Sequence, residues 1–136
     1  MLIAKFHEVV LQILFALENG GDESVIELVM AEAKISRQNA KQAYARAQAI
    51  WQQKETWDAI IGKASNDYSL ERIPTVEKNI LRYALMEISE ENDRALIAKE
   101  TVRLARKFST PEAGAFVHAI LHTISPLPPL SEEGAS

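Results

Sequence analysis

Pro74-Thr75-Val76-Glu77-Lys78-Asn79-Ile80-Leu81-Arg82-Tyr83-Ala84-Leu85-Met86-Glu87-Ile88 decides the fold class. Val76, Ile80, Leu81, Ala84, Leu85 and Ile88 recur at helical spacing, so a helix opened at Pro74-Thr75 gathers them on one broad apolar face. A strand would put alternate residues on one face, and this stretch does not alternate.

The same period extends in both directions. Upstream, Phe6, Val9, Val10, Ile13, Leu14 and Leu17 form the apolar face of a first helix, which Gly20-Gly21-Asp22 ends. Asp22 caps a second helix carrying Val25, Ile26 and Val29. Ser36 caps a third through Ala40, Ala43, Tyr44, Ala47, Ile50 and Trp51, and Trp57, Ile60, Ile61 and Ala64 mark a fourth that breaks at Ser65-Asn66-Asp67. Downstream, Asn92-Asp93 is a turn, and Asp93 caps a helix with Ile97, Thr101, Leu104, Ala105 and Phe108. Thr110-Pro111-Glu112 reads as N-cap, first helical residue and first-turn acid. The last helix carries Ala113, Phe116, Val117, Ile120, Leu121 and Ile124. An all-α protein of about seven helices with short connections is expected.

Hydrophobic residues make up 47% of the 136 and charged ones 25%, which suits a folded domain rather than a disordered chain. The absence of cysteine excludes disulfides and fits a reducing cytoplasm. The first residues lack the charged head and apolar run of a signal peptide, and no apolar run approaches the roughly 20 residues that span a bilayer, so no membrane role is expected. A formal charge of −4 argues against indiscriminate coating of nucleic acid but allows a local basic face.

Candidate chemistry is sparse. His118 and His122 stand four apart, a spacing that offers two metal ligands from one helix, but a zinc site needs a third, and Ala119 stands where a metalloprotease helix has its Glu. Two polar residues on a solvated face account for the pair. Glu87, Glu90, Glu91 and Asp93 crowd one turn, where solvation explains them better than acid–base chemistry. Neither a phosphate-binding glycine pattern nor a nucleophile elbow is present, so no enzyme, cofactor or metal is expected. The segment from Arg94 to Lys107 is basic: Arg94, Lys99, Arg103, Arg106 and Lys107 against Glu100 alone. Lys99, Arg103 and Arg106 share one helical face, able to neutralise phosphates.

Three ordered blocks carry a family resemblance. Tyr68-Ser69-Leu70-Glu71-Arg72-Ile73 followed by Val76 to Ile88 resembles the core of the NusB family. Ile97 to Phe108 resembles that family's next block, Phe116-Val117-His118-Ala119-Ile120-Leu121 its closing one, and Lys5 to Phe15 its first helix. The resemblance implies two small helical bundles packed on each other: residues 1–67 and 68–125 of a domain spanning 1–125, with 126–136 as a flexible tail. It also implies a transcription antitermination factor. Such a factor pairs with NusE, the small-subunit ribosomal protein that also serves transcription, and binds boxA-type RNA. Within the transcription elongation complex it promotes read-through, notably of ribosomal RNA operons.

By the same resemblance, Lys5 and His7 occupy positions where the first helix meets RNA, and Arg82 and Phe116 match positions near the RNA face. Lys99 and Arg103 add charge to that set, Glu77 matches a NusE-contacting position, and a basic patch joining Lys5, Arg82 and Lys99 is expected. The family's N-terminal arginine cluster is reduced here to Lys5 and His7, and His118-Ala119 replaces the usual Asn-Gly. Those departures, with the net charge, motivate an alternative: a protein-only adaptor or homodimer with reduced RNA binding.

Overall fold

The computed structural model describes residues 1–65 and 70–126, and these form seven α-helices and no strand. The expected break at Asn66-Asp67, the Tyr68-Ser69 part of the family block and all but Pro126 of the expected tail lie outside the described residues. The helices are α1 (Ile3–Glu18), α2 (Val25–Ala33), α3 (Arg37–Gln52), α4 (Lys54–Ala64), α5 (Thr75–Ser89), α6 (Arg94–Phe108) and α7 (Pro111–Ile124), with a 3-10 turn at Leu70–Arg72. None is long and apolar enough to cross a membrane.

Two compact units divide the chain, Met1–Lys54 and Glu55–Ser136, so α4 groups with the second unit. In the first, α1 packs on α3 and on α2, and α2 packs on α3. The α3 side of this packing is built from Ala40, Ala43 and Ala47, all fully buried, with Ile50. Alanines let a neighbouring helix approach closely, and Val9, Val10, Ile13, Leu14 and Leu17 of α1 are buried in turn. Leu11 is buried as well, so α1 is covered beyond the face its period outlines. In the second unit α5, α6 and α7 pack on one another. Residues 79–86 of α5 are all buried, which makes it the central helix.

The ends follow local chemistry. Ser36 accepts from the Asn39 N–H at 3.1 Å, Asp93 from Ala95 at 2.8 Å and Leu96 at 3.2 Å, and Thr110 from Ala113 at 3.1 Å. Asp22 accepts from the Ser24 N–H at 2.9 Å just ahead of α2, and that bond holds its carboxyl below the usual carboxylate range. After α1, Gly20 takes a φ of 86° and Gly21 donates to the Ala16 carbonyl at 2.8 Å. A Cβ on Gly21 would meet that same oxygen at 2.8 Å, so Gly21 cannot carry a side chain without a shift, and the positive φ at Gly20 favours glycine there. Between α2 and α3, the exposed Arg37 donates to Glu27 and, chiefly through that hydrogen bond, lowers the Glu27 carboxyl. A depressed carboxyl contributes at neutral pH, and its contribution disappears as pH falls through the lowered value.

After α5 the chain makes the same helix-ending turn with a poorer residue. Glu91 sits at φ 58°, donating to the Ile88 carbonyl at 2.9 Å, while Asn92 donates to Glu87 at 3.2 Å. A side chain in that left-handed conformation costs about 1–2 kcal/mol, part of which a glycine returns through its freer unfolded chain. Glu91→Gly is therefore expected to stabilise the protein by about 0.5–1 kcal/mol, read as a higher urea midpoint at unchanged slope.

Candidate nucleic-acid interface

α6 is amphipathic. Ile97, Ala98, Thr101, Val102, Leu104 and Ala105 are buried, and the Thr101 hydroxyl is turned inward onto the Ile97 carbonyl at 2.8 Å. The cations of the helix are therefore left toward solvent, Arg103 only in part. Lys99 and Arg106 are exposed, and neither has an ion-pair partner among the described residues. Arg103, half-buried between them in sequence, donates from Nε and Nη2 to the two Glu100 oxygens at 2.7 and 2.8 Å. Its charge is thus shared within the helix, and the three-residue stripe presents two open cations and one tethered one. Arg106 and Lys107 also face the negative end of α6, and the Lys107 ammonium stands 5.8 Å from the Phe108 ring centre.

Gly114 of α7 supports this arrangement. A Cβ there would meet Val102 Cγ1 at 3.0 Å and Arg106 Nε at 3.1 Å, so α6 and α7 approach closely and the Arg106 side chain lies along α7. Phe116, two residues on, is half-buried. His118 and His122 stack on α7 with ring centres 6.1 Å apart. Among the described residues no group of three or more His, Cys, Asp or Glu side chains is placed to hold a metal ion.

Arg82 does not belong to any surface patch. Its side chain is 3% exposed, its Nε and Nη2 donate to the two Asp58 oxygens at 2.7 Å each, and Nη1 donates to Asn79 at 2.9 Å. The guanidinium clamps α4 to α5, so Arg82 is not available to the expected patch of Lys5, Arg82 and Lys99. The physical reason is the forked geometry itself: a planar five-donor group matches a carboxylate in a buried seam better than any other cation.

Lys5 is exposed in the first turn of α1, an end with no acidic residue and no side-chain cap, where the aligned peptide dipoles make the helix positive. His7 is half-buried, edge-on to Phe6 with ring centres 6.4 Å apart. Glu77, in the first turn of α5, is 7% exposed, and its Oε1 has no hydrogen-bond partner among the described residues; Trp57 Nε1 is in the same state.

One feature of the first unit carries no motif. Between Glu32 and Glu55 stand Lys34, Arg37, Lys41, Arg46 and Lys54 without a single Asp or Glu. A running charge count, rather than a search for spaced cations, finds it.

The model of the NusB family matches residues 5–126. A transcription antitermination protein NusB of Chlamydia pneumoniae is 33% identical over 97% of this chain and 85% of its own length. One from Chlamydia trachomatis serovar A is 36% identical over 88% of this chain and 76% of its own, and one from Dictyoglomus thermophilum 37% identical over 86% and 79%. Among solved structures, a chain in the crystal structure of a plectonemic RNA supercoil superposes with a TM-score of 0.76 at 22% identity, over 89% of this chain and 91% of that one, which establishes the shared fold. With seven helices among its described residues, a family match across both units and relatives of that name along most of its length, this chain belongs to the NusB family of transcription antitermination proteins.

Proposed function

We propose that this chain is a cytoplasmic antitermination factor that binds boxA-type RNA together with NusE and, in the transcription elongation complex, promotes read-through, notably of ribosomal RNA operons. The observation that carries the RNA part is the outer face of α6, where Lys99 and Arg106 stand exposed and unpaired on a chain of net charge −4. Two open cations and a tethered third at Arg103 make a modest phosphate-binding set on α6, and Lys5 on α1 is an exposed cation of the first unit. RNA affinity of the chain alone is accordingly weak, and NusE completes the surface. Phe116 supplies a partly exposed ring for a base to stack on.

Glu77 is the proposed meeting point with NusE. Only the 7% of Glu77 that stays exposed can meet a partner, through its negative charge rather than through the buried Oε1. Glu77→Gln should therefore weaken NusE binding while leaving RNA binding by the chain alone unchanged, measured by calorimetry with each ligand.

The functional test is transcription in a reconstituted elongation complex on a template with boxA ahead of a terminator. Read-through should rise when the chain and NusE are added together. Equal read-through without the chain would refute the proposal. A protein-only adaptor or homodimer is favoured by one observation, the tethering of Arg103 by Glu100, which subtracts charge from the stripe. A salt series separates the two: phosphate binding weakens steeply with salt, whereas an apolar helix interface does not.

A further inference from the structure

α3 buries Ala40, Ala43, Tyr44, Ala47 and Ile50 and leaves outward a face of another character: Gln38, Lys41, Gln42, Ala45, Gln48 and Gln52, all exposed. Nothing acidic stands on this helix or on the residues that flank it from Ala33 to Lys54. Lys41 and, at the turn before α3, Lys34 are exposed with no ion-pair partner among the described residues; Arg37 is shared with Glu27, and Lys54 lies 4.4 Å over the Trp51 ring. Ala45, shorter than its neighbours, leaves a shallow hollow of about 470 Å³ lined by Arg37, Gln38, Lys41, Gln42 and Ala45 itself.

We propose that the outward face of α3 is a second contact surface for single-stranded RNA, with Lys34 and Lys41 on phosphates and the glutamine amides on base edges. The proposal rests on the RNA-binding reading above but on a helix that reading does not use. Three features select this occupant. Glutamine amides donate and accept at once, as base edges require. The cations attract phosphate with no carboxylate on the helix to oppose them. A protein partner would need apolar anchors in a desolvated centre, and the largest apolar side chain on this face is alanine.

The test uses the full chain and labelled single-stranded RNA, once as the boxA segment and once extended by flanking nucleotides, over a salt series. Its variants are Lys41→Glu/Gln42→Glu on α3 and, as reference, Lys99→Ala/Arg106→Ala on α6. The α3 variant should lose about tenfold in affinity for the extended RNA, with a salt slope shallower by about one. Its thermal midpoint should be unchanged, because both side chains are exposed. Unchanged affinity in the α3 variant while the α6 variant weakens would overturn this proposal and leave the RNA reading standing. Absence of RNA binding by the unaltered chain would overturn both. Loss of NusE binding with RNA affinity intact would overturn it in favour of a protein surface.

Discussion

Replacing Arg82 by alanine is expected to lower the unfolding free energy by about 3–5 kcal/mol, the range for removing one partner of a buried ion pair. The guanidinium is almost wholly buried, and its removal leaves Asp58, 18% exposed, without its counter-charge and takes away the hydrogen bond from Nη1 to Asn79 Oδ1. Arg82→Lys should cost nearly as much. A single ammonium cannot bridge both Asp58 oxygens and the Asn79 amide. Replacing the pair together, Arg82→Met with Asp58→Leu, should recover much of the loss, since it is the stranded charge rather than the missing attraction that destabilises most. Urea unfolding of the three variants decides this. A surface RNA contact would instead show near-normal stability for Arg82→Lys and a change confined to RNA affinity.

Reversing the two open cations of α6, Lys99→Glu with Arg106→Glu, is expected to produce the largest binding effect. Each phosphate contact with single-stranded nucleic acid contributes about 0.7 to the slope of log affinity on log salt, so losing two flattens it by about 1.4 and lowers affinity at moderate salt by about tenfold or more, reversal adding repulsion. The fold should tolerate the change, because both side chains face solvent. Glu100→Gln should act in the opposite sense, releasing Arg103 and steepening the slope.

The helices were legible because each buries an apolar stripe of the right period and three of the seven are opened by a recognisable side-chain cap. Ser36, Asp93 and Thr110 each accept the bonds their positions predict. α4 begins at Lys54, three residues before its first apolar signal at Trp57, since Lys54-Glu55-Thr56 carries no hydrophobic mark of helix. The site was less legible for a different reason. A motif reports which residue stands at a position, not which way it points, and the partner that draws Arg82 inward lies 24 residues away on another helix. The Glu100–Arg103 pair was available from three-residue spacing alone, but Glu100 counted only as one acid against five cations, not as the partner of a particular one. The acid-free run of α3 was in plain view and matched no pattern.

The most direct measurement is the affinity of the purified chain for labelled boxA-type RNA, taken at several salt concentrations with NusE absent and present. Weak, salt-sensitive binding that tightens when NusE is added is the predicted result. Affinity that ignores both salt and NusE would contradict it.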